Sequence, residues 1–174
     1  MGCVLFWPSR EAPLAFGSCA ARKFGSLGLF GGLYTPHRHV KVVGSMRKVV
    51  ASSEAPAAVG PYSQAIAVGS TLYCAGQIPL DPISGELVSG GVSEQTERVL
   101  ENIGGVLRAN GMTHAHVVKS TVFMTDLSKF AEMNAVYQRY FQAPFPARST
   151  VQVAALPRGA SVEIEVIAVA EQIP

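Results

Sequence analysis

The sequence has 174 residues, of which 48% are hydrophobic and 15% charged, a composition that fits one globular domain and excludes collagen-like and intrinsically disordered chains. No run of eighteen apolar residues occurs, so the sequence predicts no membrane-spanning helix. The net charge of +2 is unevenly divided, because residues 1–50 carry seven basic residues and one acid (+6), whereas residues 51–174 carry seven basic and eleven acidic residues (−4).

Residues 1–45 form a basic N-terminal extension that differs from the rest of the chain. The segment contains Arg, Lys, Ser and several glycines but a single acid, and neither helical nor strand periodicity persists through it. Such a composition is typical of an organellar transit peptide, which predicts a disordered extension and a mitochondrial or plastid location. The alternative is a spurious upstream extension, since Met46 can itself begin a protein, and the location would then be cytoplasmic.

The predicted domain covers residues 46–174. Its first half is predicted to be mainly β-structure. Short apolar runs rich in β-branched residues predict strands, and Gly69-Ser70 between two of them is typical of a hairpin turn. Turn-forming residues follow over 81–85. The predicted strands cover residues 47–51, 63–68 and 71–78.

The second half of the domain alternates helices and strands. Apolar residues at helical spacing predict two helices, capped by Ser93 and Ser128, and β-branched runs predict three strands. The order β-β-β-α-β-α-β-β predicts an α+β fold, with both helices on one face of a mixed sheet. The other face needs a cover, so we expect an oligomer. The helices cover 93–109 and 128–141, and the strands cover 117–124, 149–155 and 161–170.

Charged residues in two apolar segments, Arg148 in one and Glu163 and Glu165 in the other, are candidates for chemistry. Arg148 lies where a proline-rich loop enters an apolar strand, and its guanidinium can hold a carboxylate through two parallel hydrogen bonds. Glu163 and Glu165 share one face of the last strand, and Glu165 is the inner one, so it is the carboxylate expected to be partly desolvated and to act as acid or base. The alternatives are a solvated strand-end arginine and a solvated strand face.

Three further residues are candidates for ligand contacts. Asn134 shares the apolar face of the second helix, where its amide must find either a backbone partner or a ligand. Tyr62 and Gly76 lie at strand ends, where Tyr62 can form a site wall or an interface and Gly76 lets a ligand approach the backbone. No phosphate-binding loop, nucleophile elbow or zinc-binding motif is present, so no metal site is predicted. Cys74, within an apolar run, is predicted to be a core residue.

Several of these stretches together resemble the reactive intermediate deaminase A family, also called the Rid or YjgF family. The matching motifs follow one another in order from about residue 47 to 170, and the resemblance does not include residues 1–45. They are Ala55-Pro56-Ala57-Ala58-Val59-Gly60-Pro61-Tyr62-Ser63-Gln64, Ala75-Gly76-Gln77-Ile78-Pro79, Asp126-Leu127, Met133-Asn134, Phe145-Pro146-Ala147-Arg148-Ser149 and Glu163-Ile164-Glu165-Val166.

The resemblance implies a chorismate-mutase-like fold and a homotrimer with its sites in the clefts between subunits. It implies hydrolysis of reactive 2-imino and enamine acids, such as 2-iminobutanoate and 2-iminopropanoate, to 2-oxoacids and ammonia. This activity protects pyridoxal-phosphate enzymes from 2-aminoacrylate, and it needs no cofactor.

The resemblance also implies roles for individual residues. Arg148 would bind the substrate carboxylate, and Glu165 would activate the attacking water and transfer protons to the leaving nitrogen. Tyr62 would form a wall of the site, while Asn134 and the backbone of Gly76 would help to place ligand or water. Many bacterial relatives have a cysteine two residues after the arginine, where this chain has Thr150, a departure that argues against covalent catalysis.

Two other functions remain open from the sequence. Some members of the family are described as ribonucleases or translation inhibitors, but RNA binding favours a basic surface with stacking aromatic residues, and residues 51–174 carry a charge of −4. Nucleic acid is therefore not an expected partner, and neither is a membrane. The third possibility is a non-catalytic ligand-binding trimer.

Overall fold

The computed structural model describes residues 47–170, and their order of strands and helices is the predicted one. The extension 1–45, Met46 and residues 171–174 lie outside the described residues. The strands are β1 (Arg47–Val50), β2 (Ala65–Val68), β3 (Thr71–Gln77), β4 (Val117–Met124), β5 (Ala147–Gln152) and β6 (Val162–Val169), and the helices are α1 (Val92–Arg108) and α2 (Phe130–Tyr140).

The six strands form one mixed sheet in the order β1-β2-β3-β6-β4-β5. All neighbouring strands are antiparallel except β4 and β5, which are parallel. The last strand of the chain, β6, lies between β3 and β4 in the interior of the sheet. Two register pairs matter for function, because Ser120 of β4 lies opposite Arg148 of β5, and Thr121 of β4 lies opposite Glu165 of β6.

The two faces of the sheet differ in burial, as strand alternation requires. One face packs on the helices and forms the core with the fully buried face of α1. The other face is open and includes apolar side chains such as Tyr73, which is 50% exposed, and the partly exposed Ile167. In β6 the buried residues are Val162, Ile164, Val166 and Ala168.

Several predicted boundaries differ from the observed ones, and for three of them the structure shows the cause. α1 is capped by Gly91, not Ser93, and the Glu94 carboxylate accepts a hydrogen bond from the Gly91 N–H at 2.8 Å. α2 begins two residues after Ser128, because a short 3-10 turn precedes it. β5 begins at Ala147, since pairing with β4 extends the strand, and Arg148 therefore lies within it.

Gln64 ties the loop before β2 to the body of the domain. Its side chain is 4% exposed, and its amide oxygen accepts a hydrogen bond from the Ser52 N–H at 2.6 Å. The two N–H groups of its amide nitrogen are shared among three carbonyl oxygens, those of Ser52 at 3.1 Å, Ala55 at 3.2 Å and Pro56 at 2.7 Å. The Gln64 side chain therefore supplies hydrogen bonds to the loop backbone that strand pairing does not provide there.

We expect Gln64→Met to lower the free energy of unfolding by about 2–3 kcal/mol, because it leaves several part-buried backbone groups without partners. Urea unfolding of the variant and the wild type measures the difference. Gln138→Met is the control, since Gln138 lies exposed on α2 and should change the midpoint little. Equal midpoints for both variants would show that the loop does not depend on the Gln64 amide.

Candidate active site

Arg148 faces the helices and forms the centre of a first group of candidate residues. Its partner in β4, Ser120, is fully buried, so the Arg148 side chain projects to the same, helix-bearing face. The guanidinium carbon lies 4.5 Å from the ring centroid of Tyr137 and 5.4 Å from that of Phe130. The described ion pairs do not include Arg148. It is thus a half-buried cation against two aromatic rings, not a solvated strand-end arginine.

Asn134 and Thr150 belong to the same group. Asn134 lies four residues after Phe130 and three before Tyr137, so it shares the α2 face over which Arg148 lies. Thr150 follows Arg148 by two residues and projects to the same face of β5. Both side chains are half-buried. We call this group of Arg148, Asn134, Thr150 and the two rings the arginine half-site.

A cavity of about 770 Å³ holds a second group, which includes Tyr62, Gly76 and Glu163. Tyr62 is 52% exposed and forms part of the wall, as predicted. We call this group the glutamate half-site. Most of the remaining lining is apolar or backbone, from Pro56, Ala57, Val59, Ala75, Ile78, Leu80, Pro82 and Ile83 among others.

Glu163, not Glu165, is the partly desolvated carboxylate. The expectation for Glu165 is wrong because its side chain is exposed on the open face, whereas Glu163 is half-buried. β3 has a bulge between Cys74 and Gln77, and the carboxylate of Glu163 packs against Gly76 within it, where an added Cβ would lie 2.9 Å from the Glu163 Cδ. Burial raises the pKa of Glu163, and the charge of Glu165 adds to this effect.

The two half-sites lie on opposite faces of the sheet. Arg148 projects to the helix face, whereas Glu163 and Glu165 project to the open face, with β4 between their strands. Neither Glu163 nor Glu165 therefore shares a face of the sheet with Arg148 within one chain. Strand alternation in the sequence predicts which residues of β5 or of β6 share a face, but it does not predict how the faces of two separate strands match.

The other ionisable side chains of the described region contribute less to the site. Burial raises the pKa of the Cys74 thiol to about 12, so this core cysteine is protonated at neutral pH and is a poor nucleophile. His114 is half-buried, not exposed as its loop position suggests, and its Nε2 lies 3.0 Å from the Leu100 carbonyl oxygen.

Within residues 47–170, His, Cys, Asp and Glu side chains form no group that could hold a metal ion. None of the helices described there has the length and apolarity needed to cross a membrane.

Comparison with known proteins places these residues in a described family. Residues 52–170 match the family described as Endoribonuclease L-PSP. The chain is 52% identical over 124 residues to 2-iminobutanoate/2-iminopropanoate deaminase of Bos taurus, which covers 71% of this chain and 90% of that protein. It is 42% identical over 164 residues to the chloroplastic Reactive Intermediate Deaminase A of Arabidopsis thaliana, which covers 92% of this chain and 88% of that one.

Solved structures agree with the fold. The crystal structure of RidA from an Antarctic Psychrobacter species is 47% identical and superimposes with a TM-score of 0.69, covering 71% of this chain and 99% of that one. The crystal structure of E. coli TdcF with bound serine is 42% identical, with the same TM-score and the same coverage. The mixed sheet with two helices on one face is therefore the fold of these proteins.

We expect Glu165→Gln to lower the pKa of Glu163, because it removes the negative charge that adds to the desolvation effect. Carbon-detected NMR titration of the Glu163 carboxyl group measures this pKa in both proteins. Glu132→Gln is the matched control, since Glu132 lies on α2 and pairs with Lys129. An unchanged pKa for Glu163 in Glu165→Gln would contradict the electrostatic coupling.

Proposed function

Because this chain belongs to the Endoribonuclease L-PSP family, which includes the YjgF/RidA proteins, we infer that it is a hydrolytic deaminase of reactive 2-imino acids. It converts substrates such as 2-iminobutanoate and 2-iminopropanoate into 2-oxoacids and ammonia. One observation carries the assignment of the site, namely the half-buried guanidinium of Arg148, which has aromatic rings beside it and no described ion-pair partner.

Arg148 is the proposed receptor for the substrate carboxylate. A half-buried cation is unfavourable without an anion, and the rings of Tyr137 and Phe130 reduce this cost. A guanidinium stacked on a ring keeps its N–H edge available, and this edge fits a carboxylate with two parallel hydrogen bonds. The serine bound to the related TdcF is a small molecule with such a carboxylate. Asn134 and Thr150 are proposed to contact the same ligand.

Glu163 is the proposed acid and base. It accepts a proton from water as the water oxygen bonds to the imine carbon, and the C=N bond becomes a C–N single bond. Glu163 gives this proton to the nitrogen, and a carbinolamine forms. Glu163 then takes the proton of the carbinolamine hydroxyl and passes it to the nitrogen, the C=O bond forms as the C–N bond breaks, and ammonia and the 2-oxoacid are released. A raised pKa suits both steps near neutral pH. This replaces the role expected for Glu165, which instead adjusts the pKa of Glu163.

The proposed site is completed by two copies of the chain. Arg148 and Glu163 lie on opposite faces of one sheet, so one small substrate cannot contact both within a chain. The open apolar face, which includes Tyr73 and Ile167, supports association through this surface. We therefore propose the homotrimer implied by the family, in which the arginine half-site of one chain meets the glutamate half-site of the next.

Mixing two inactive variants tests the shared site. Arg148→Ala and Glu163→Gln should each abolish acceleration of 2-oxobutanoate release from a threonine dehydratase reaction that contains an amine trap for the imine. Co-refolding them in equal amounts should restore about a quarter of wild-type activity, because one site in four then draws intact residues from both chains. No recovery in confirmed mixed oligomers would place the site within one chain, and an inactive wild type would refute the deaminase itself.

Gly76→Ala should reduce kcat/KM roughly 10- to 100-fold while the protein stays folded. The added Cβ displaces only the flexible end of Glu163, so the fold survives but the carboxylate moves. Gly104→Ala is the matched control, because its Cβ also meets only side-chain ends, those of His114 and Arg108, away from both half-sites. Equal activity of the two variants would argue against Glu163 as the acid and base.

The family description also names an endoribonuclease, which keeps an RNA-directed activity as the second candidate. The charge of −4 on residues 51–174 disfavours a phosphate-binding surface. Fluorescence titration with single-stranded RNA at two salt concentrations decides between the two. Tight, strongly salt-dependent binding would favour the RNA-directed activity, and weak binding would favour the deaminase alone.

Residues 1–45 are proposed to be an organellar transit segment, with a plastid as the favoured destination. The chloroplastic relative covers 92% of this chain, whereas residues 46–174 make up only 129 of the 174 residues, so the similarity includes part of the extension. N-terminal sequencing of the protein isolated from its native cells tests this. A mature protein that retains Met1 would contradict cleavage.

A further inference from the structure

The Tyr137 ring is fixed at both of its ends. Its side chain is 4% exposed within the core, and its hydroxyl lies 2.8 Å from the hydroxyl of Ser120, which is fully buried. The ring is therefore held by the α2 backbone at one end and by β4 at the other. Phe141 also packs against it, with ring centroids 4.3 Å apart.

Ser120 of β4 and Tyr137 of α2 are also neighbours of Arg148 in β5. Ser120 is the residue that lies opposite Arg148 in the parallel pairing of β4 and β5, and Tyr137 is the ring nearest to the guanidinium. Tyr137 thus contacts both Ser120 and Arg148, whose strands are paired at these two positions. Phe130, 37% exposed, contributes a second and less fixed ring.

This arrangement matters because an arginine side chain has many rotamers, and ordering it when the ligand binds reduces affinity. A ring that already holds the face of the guanidinium removes much of this cost before the substrate arrives. The hydroxyl is paired with the Ser120 hydroxyl, and the guanidinium carbon of Arg148 lies over the ring, 4.5 Å from its centroid.

We propose that Tyr137 is a positioning residue that orients Arg148 for carboxylate binding, and that the Ser120 hydroxyl keeps the Tyr137 ring in place. This inference rests on the proposed role of Arg148 in the deaminase. Tyr137 acts through Arg148 and does not contact the reacting atoms, so its loss weakens substrate binding more than the chemical step.

Tyr137→Met should raise KM for the imine, and Kd for the product 2-oxobutanoate, about tenfold, while kcat falls less than threefold, because a partly desolvated cation–π contact is lost. Tyr137→Phe should restore both constants to within about threefold of wild type, since it retains the ring and loses only the hydroxyl. Tyr140→Leu is the control, because Tyr140 lies on α2 and packs against His114, away from Arg148.

A spectroscopic measurement separates positioning from general stability, and its first readout is made on the wild type. The Hε and Hδ protons of Arg148 in the wild type should resonate upfield through the ring current of Tyr137. This shift should persist in Tyr137→Phe and fall in Tyr137→Met to the smaller contribution of Phe130. Absence of the upfield shift in the wild type would overturn the inference.

The activity measurements distinguish failure of the proposed function from failure of the positioning role of Tyr137. An inactive wild type that does not bind 2-oxobutanoate would refute the proposed function. An active wild type with the same KM in Tyr137→Met and Tyr140→Leu would leave the deaminase intact and overturn the positioning role. A tenfold KM increase confined to Tyr137→Met, with rescue by Tyr137→Phe, supports it.

Discussion

The alternation of side chains along the sheet is the constraint on which the rest of the molecule depends. Because successive residues project to opposite faces, the pairing of Ser120 with Arg148 sends the guanidinium toward the helices. The same rule applied to β6 sends Glu163 to the open face, while Val162 and Ile164 enter the core. A shift of one residue would reverse each assignment and bury a charge in the core, so the core itself fixes the separation of the two half-sites.

Each half-site holds a charge that is poorly compensated within one chain. Arg148 has aromatic rings but no ion-pair partner among the described residues, and Glu163 is half-buried, with a pKa that burial and the charge of Glu165 both raise. Proteins retain such unfavourable arrangements mainly where function requires them. Association of two chains would bring a cation and an anion to one cleft, and a substrate with a carboxylate and an imine nitrogen would match that distribution of charge.

Most of the fold could be predicted from the sequence, because helical spacing and β-branched runs are local signals. The order of the elements and the location of both helices on one face are confirmed. Boundaries that depend on neighbouring elements were missed, including the start of β5, which its pairing with β4 sets. The prediction that Glu165, and not Glu163, is the partly desolvated carboxylate is wrong for the same reason. The bulge at Gly76 belongs to β3, and the pairing of β3 with β6 joins segments almost ninety residues apart in the chain. A glycine inside an apolar strand was the available signal, since it often marks a bulge, but nothing in the sequence connected it to Glu163.

The side chains present also limit the chemistry that the site can perform. Thr150 carries a hydroxyl, and the thiol of Cys74 is buried and protonated, so neither supplies a thiolate for covalent attack. Hydrolysis must then rest on water, a carboxylate that moves protons, and a substrate held in one orientation. Fixing the reactants in this way can supply a large share of the rate enhancement, because the entropy of alignment is lost on binding and not in the transition state. In the proposed mechanism the contribution of Arg148 depends on how well its orientation is defined, and the buried contact between Tyr137 and Ser120 is the proposed means of defining it.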